Sequence, residues 1–109
     1  MTSLGKSLIA FLIGGSLYAP ACAQSPLGDP AAGKTIAAKL CSNCHVTGEG
    51  PTGTARADVP AFKAIANRST TTPERLAAAI ILPHPAMPDV PLTRDEIRAV
   101  IAYIMSLKK

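Results

Sequence analysis

The chain has 109 residues, a formal net charge of +4, 4% aromatic residues and no tryptophan. This length suits one small domain, and an aliphatic core in so short a chain is thin, so the composition favours a bound group that supplies apolar bulk. The basic residues are spread out, and the only basic run is Lys108-Lys109, so the charge pattern gives no sign of nucleic-acid binding.

Residues 1–23 have the features of a secretory signal peptide. Lys6 supplies the positive start, an apolar stretch ends near Leu17, and Ala-Cys-Ala at 21–23 is a small-x-small cleavage signal. The apolar stretch is short for a membrane span. We therefore expect cleavage, a mature domain of residues 24–109, location in the periplasm and no stable membrane insertion.

Two alternatives would keep the protein at a membrane. The apolar stretch could remain as an uncleaved anchor. Cleavage before Cys22 could instead leave a lipid on that cysteine, although the preceding residues make a poor lipobox.

The first predicted helix runs from Pro30 to about Ser42. Asp29 is a good N-cap residue, and proline suits the first helical position. Gly33 and Ala37 are small and four residues apart, so they would lie on one face and form a shallow groove where another helix could cross closely.

The sequence C-S-N-C-H at residues 41–45 is the pattern of a c-type haem attachment site. The thiols of Cys41 and Cys44 would form thioether bonds to one haem c, and His45 could reach the iron. A C-x-x-C pair can also be a redox dithiol, but the βαβ pattern of thioredoxin-like proteins is missing from the sequence. A zinc site would need a fourth ligand, either His84 or a carboxylate.

Two short helical segments are expected after a glycine- and proline-rich loop over residues 46–59. The first spans residues 60–68, with Phe62 as a candidate haem contact. The second spans residues 73–82 and is capped by Thr72. The residues expected to form their buried sides are Phe62, Ile65, Ala66, Leu76, Ala79 and Ile80.

Residues 83–91 contain four prolines, which exclude a helix and stiffen the loop. A stiff loop can hold one side chain in place, and we predict that the thioether of Met87 is the second axial iron ligand, opposite His45. Met87 could instead fill a gap in the core. His84 is the rival ligand, but we expect it to be exposed or to face a haem propionate.

The last helix opens with a capping box, Thr-x-x-Glu at residues 93–96, and runs to about Leu107. Its apolar residues follow helical spacing over a wide face. We expect one pair of residues on this face to cross the groove of the first helix and another pair to face the porphyrin. The crossing pair is Val100 and Tyr103, and the porphyrin-facing pair is Ile101 and Ile104.

The pattern resembles the small monohaem class I c-type cytochromes over residues 29–107. The resemblance rests on the 41–45 motif, with weaker support from Pro-Ala-Phe at 60–62, Ala-Met-Pro at 86–88 and Ala-Tyr-Ile at 102–104. It implies an all-α, cytochrome c-like fold: three to four short helices around one covalently bound haem, with the first and last helices crossing.

The same resemblance implies the roles of individual residues. Cys41 and Cys44 would hold the haem, His45 and Met87 would be the axial ligands, and the Pro60 carbonyl would accept a hydrogen bond from His45. The sequence departs from the family at Ala37, where an aromatic residue is usual, and at Ile80-Ile81, near which many relatives carry a Trp or Tyr beside a propionate. The propionate partners therefore stay open, and the candidates are Arg56, Arg68 and His84.

The function implied is one-electron transfer, by an electron carrier that is not an enzyme. With both axial positions filled, the iron would have no open site for a substrate. The expected partners are redox proteins: a quinol-oxidising complex, an oxidase or a periplasmic dehydrogenase. Two alternatives stay open, a haem-based sensor with a displaceable distal ligand and a dedicated electron-transfer subunit of a dehydrogenase.

Overall fold

The computed structural model describes residues 15, 26–48, 56–82 and 84–109, and within these ranges it is helical with no strands. The helices are α1 (Pro30–Leu40), α2 (Phe62–Ala66), α3 (Pro73–Ile81) and α4 (Arg94–Ser106). The predicted all-α class is confirmed. Apart from Gly15, the predicted signal peptide over residues 1–23 lies outside the described residues. None of the helices in the described ranges combines the length and the apolar character needed to cross a membrane.

Three of the four helices begin at the capping residues that the sequence indicates. The Asp29 carboxylate accepts a hydrogen bond from the Ala31 amide at 2.9 Å, and the Thr72 hydroxyl accepts one from the Arg75 amide at 3.3 Å. At α4 the capping box is complete: the Thr93 hydroxyl accepts from the Glu96 amide, and the Glu96 carboxylate accepts from the Thr93 amide. These bonds satisfy amide groups that a helix start leaves without partners.

The crossing of α1 and α4 is close because Gly33 lacks a side chain. A Cβ atom at Gly33 would lie 1.9 Å from the backbone oxygen of Ala99 and 2.9 Å from Cβ of Tyr103. Gly33 and Ala37 are both buried, so the predicted groove is present. Of the predicted crossing pair, Tyr103 meets Gly33, and the other residue beside Gly33 is Ala99 rather than Val100. Ala99 and Tyr103 are four residues apart and share a face, whereas Val100 is turned by about 100° from Ala99.

Helix α4 is the centre of the core, with α1, α2 and α3 all packed against it. Its residues 99–104 are all buried, so this stretch is covered on every side. The rest of the buried core comes from Ala37 of α1, Phe62 and Ala66 of α2, and Leu76 of α3. On α3, Leu76 is buried, and Ala79 and Ile80 line a cavity.

Replacing Gly33 with alanine should destabilise the protein. The new methyl group would collide with the main chain of Ala99, which cannot rotate away, and overpacking of this kind costs about 1–3 kcal/mol or more. Denaturant unfolding of the purified protein measures the loss. Gly48→Ala is the matched control, because a Cβ there meets no atom within 4 Å. A Gly33→Ala loss no larger than that of Gly48→Ala would contradict the close crossing.

The capping box should make the stability of α4 depend on pH. Hydrogen bonds from the Thr93 amide and then the Thr93 hydroxyl lower the pKa of Glu96 below its ordinary value of 4.5. A lowered pKa in the folded state stabilises the fold above the unfolded pKa, and this contribution disappears as the pH falls through the folded value. Glu96→Gln should therefore be less stable than the parent at neutral pH, with the difference vanishing in acid.

Urea unfolding across an acid-to-neutral pH series measures this difference. Asp89→Asn, which removes a carboxylate from an exposed loop, controls for the change of net charge. A Glu96→Gln deficit that stays constant down to strongly acid pH would show that the carboxylate charge has no part in the cap.

Candidate functional site

The C-x-x-C-H motif is wound into a tight turn at the end of α1. Cys41 is the C-cap of the helix, and its amide donates to the Ala37 carbonyl at 2.9 Å. The Cys41 carbonyl then accepts from the amides of Cys44 at 3.2 Å and His45 at 2.9 Å. Helix α1 therefore ends at Leu40 rather than at Ser42, and the turn brings both cysteines and the histidine to the wall of one cavity.

The His45 ring is fixed by a backbone carbonyl. Its Nδ1 atom lies 2.7 Å from the Pro60 oxygen, as the family resemblance implies. A carbonyl can only accept, so Nδ1 is the donor in this bond, and Nε2 is the ring nitrogen that remains available to a metal. The Phe62 ring packs at 5.3 Å between centroids and is tilted by 49°, which limits rotation of the imidazole.

Hydrogen bonds among the described residues tie the end of the motif and the residues directly after it to the rest of the fold. The Phe62 amide donates to the Val46 carbonyl at 3.0 Å, and the Arg56 amide donates to the Cys44 carbonyl at 2.9 Å. The buried Tyr103 hydroxyl donates to the Thr47 carbonyl at 2.6 Å. The position of the motif therefore depends on α2 and on α4 as well as on α1.

The cavity beside the motif has a volume of about 680 Å³. Its lining is mostly apolar and includes all four predicted haem and iron ligands, which are Cys41, Cys44, His45 and Met87. Phe62 also lines it, as expected for a haem contact. A cavity of this size lies in the usual range for sites of small molecules and cofactors.

Helix α4 contributes different residues to the cavity from those expected. Val100 and Ile104 line it, whereas Ile101 is buried in the core outside the lining. The predicted pair of Ile101 and Ile104 was therefore wrong for Ile101. The physical reason is the rotation of the helix: Val100 and Ile104 are four residues apart on one face, next to the face that crosses α1.

Sequence reasoning missed the apolar residues that loops contribute to the lining. They carry no helical or strand period, so no pattern identified them. Three of them share one signal, since each stands directly beside a proline. Val59 precedes Pro60, Val90 precedes Pro91 and Leu92 follows it.

The two candidate second ligands lie on the same turn but in different surroundings. Met87 is half-buried, while His84 is exposed, as expected. Both line the cavity. The His84 ring is held towards α3, with its Nδ1 atom 3.3 Å from the Ala79 carbonyl oxygen.

The three candidate propionate partners differ in how they are engaged. Arg56 pairs with Asp58, with nitrogen–oxygen distances of 3.0 and 2.6 Å. This hydrogen-bonded pairing lowers the pKa of Asp58 and raises the pKa of Arg56. Arg56 does not line the cavity, whereas Arg68 and His84 do.

The chemistry of the cavity suits haem better than a zinc ion. Within the described ranges, no three His, Cys, Asp or Glu side chains converge as a metal-binding group, so the zinc alternative lacks a ligand set. Cys41 and Cys44 form no disulfide, and burial raises the pKa of the Cys41 thiol. Two cysteines, one imidazole and one thioether around an apolar cavity are the groups that hold a haem c.

Comparison with known proteins agrees with this chemistry. Residues 28–104 match the family described as cytochrome c oxidase, cbb3-type, subunit III. The chain is 41% identical over 80 residues to cytochrome c-552 of Bradyrhizobium diazoefficiens, a match that covers 73% of this chain and 76% of the relative. No solved structure matches the chain significantly.

Replacing both cysteines with serine should leave a largely unfolded polypeptide. Without covalent attachment the cavity of about 680 Å³ loses the apolar filling that its lining packs against, and the remaining core is thin. Circular dichroism and denaturant unfolding measure the outcome. Asn43→Ser, which keeps both thiols, is the matched control. Native helix content and cooperative unfolding in a haem-free double variant would contradict the prediction.

Proposed function

Because the chain belongs to the cbb3-type subunit III family of c-type cytochromes and carries covalently bound haem c, we propose that Cys41 and Cys44 hold the haem and that His45 and Met87 are its axial ligands. The family supports a haem-based electron carrier. We propose further that this chain carries single electrons between redox proteins outside the cytoplasm.

The observation that carries this proposal is the meeting of four side chains on one apolar cavity. His45 comes from the turn after α1, and Met87 comes from a loop more than 40 residues later, yet both line the same space as the two cysteines. When bound, the haem supplies reversible one-electron chemistry between Fe(III) and Fe(II). An imidazole and a thioether together would favour the reduced state and raise the potential.

The chain's own residues orient the His45 imidazole and make the cavity unfavourable for water. The Pro60 carbonyl and the Phe62 ring hold the His45 imidazole in one orientation. Apolar side chains such as Val100, Ile104 and Leu76 line the cavity. When the iron gains or loses an electron, the surroundings of a site that excludes water rearrange little, because few dipoles have to reorient.

We propose the periplasm as the location, with residues 1–23 removed on export. The sequence features of that segment support this. The partners would be redox proteins: a quinol-oxidising complex, an oxidase or a periplasmic dehydrogenase. The family description favours an oxidase among these. Leu40 lines the cavity, so a partner that meets this side chain would lie beside the haem, in a small and short-lived contact.

Replacing Met87 with alanine should keep the haem attached but remove one axial ligand. Loss of the thioether should lower the midpoint potential by more than about 0.1 V, within the roughly 0.8 V range that axial ligands span. Optical spectra of both oxidation states and a potentiometric titration measure the change. Met105→Ala is the matched control, since Met105 lies on α4 outside the cavity lining.

The rival ligand is tested by His84→Ala, which should leave the spectrum and the potential near those of the parent. A His84→Ala variant that loses its second axial ligand, together with a Met87→Ala variant that keeps it, would contradict ligation by Met87. Tight binding of small ligands to the unaltered protein would instead favour the sensor alternative.

A further inference from the structure

Residues 84–87 form a β-turn that ends at the proposed ligand. The Met87 amide donates to the His84 carbonyl at 3.0 Å, which closes the turn. Ala86, at its third position, has a φ of 73° and is the only non-glycine residue of the described ranges with a positive φ. Proline at the second position has a negative φ, so this combination defines a type II turn.

Ala86 is the turn residue whose backbone is least restricted by the neighbouring prolines. Pro85 has its φ fixed by its ring. His84 and Met87 each precede a proline, which restricts both to extended backbone. Ala86 is followed by methionine and has no such restriction. If it left the left-handed region for an extended conformation, the hydrogen bond would break and the chain direction at Met87 would change.

The third position of a type II turn is usually glycine, because an L side chain disfavours positive φ. Here alanine stands directly before the residue that has to reach the iron. A metal–ligand bond tolerates only a few tenths of an ångström of displacement. The stability of the closed turn therefore affects how well the Met87 thioether is positioned for the iron.

We propose that Ala86 is a positioning residue for Met87: its left-handed conformation closes the turn that holds the thioether at the cavity and sets how readily an outside ligand displaces it. This inference rests on the proposed ligation of the haem by Met87. The inference concerns how firmly Met87 binds the iron, whereas the proposed function concerns whether Met87 binds it at all.

The test compares two side chains of similar size at position 86 in the haem-containing protein. Asparagine tolerates positive φ, whereas the β-branched valine favours extended backbone. Imidazole is titrated into the oxidised protein, and its apparent affinity is measured. This affinity rises with the fraction of protein in which the Met87 thioether is dissociated from the iron. The absorption band of sulfur-bonded ferric iron is followed in parallel.

Ala86→Val should bind imidazole at least about fivefold more tightly than the parent, because the open turn is populated more often. It should also lose intensity in the sulfur band. Ala86→Asn should keep the band and bind imidazole no more tightly than the parent. Ala57→Val and Ala57→Asn, at an exposed loop alanine without a positive φ, should match the parent.

A valine variant that changes the affinity by less than this factor would overturn the inference, as would an asparagine variant that weakens ligation as much as valine. If the valine variant yields no haem-containing protein, Ala86→Thr takes its place, since threonine is also β-branched and favours extended backbone. Absence of the sulfur band from the unaltered protein would instead refute ligation by Met87, which is a failure of the proposed function.

Discussion

The close crossing of α1 and α4 is the contact on which the site depends. The attachment motif lies at the end of α1, and Val100 and Ile104 of α4 line the same cavity. The distance between the two helix axes therefore affects where the motif lies relative to the part of the lining that α4 contributes. A glycine at the crossing allows the backbones to approach until only a hydrogen atom fits between them.

Two backbone carbonyls in loops accept hydrogen bonds that help to fix the site. The Pro60 carbonyl orients His45, and the Thr47 carbonyl accepts from Tyr103, a residue that also packs against Gly33. Tyr103 thus joins the helix crossing to the segment directly after the motif. A displacement of Tyr103 would therefore affect both the helix crossing and the residues that follow the motif.

Much of this arrangement could be predicted from local chemistry. Three helix starts were indicated by residues whose side chains can bond amides a few positions later, namely Asp29, Thr72 and Thr93. The spacing within the C-x-x-C-H motif indicated the haem attachment site. The rotation of α4 could not be predicted, since six consecutive residues are buried and this stretch has no exposed polar side to orient it. The left-handed Ala86 also escaped prediction, because alanine gives no sign of a positive φ.

The geometry at Gly33 limits how this sequence can diverge. The first atoms that a side chain there would meet belong to the main chain of Ala99, not to its methyl group. Shortening a neighbouring side chain therefore cannot make room, and a suppressor mutation would have to shift a whole helix. Such a shift would also displace the haem lining, so descendants of this protein should retain glycine at position 33 even where the packing around it drifts.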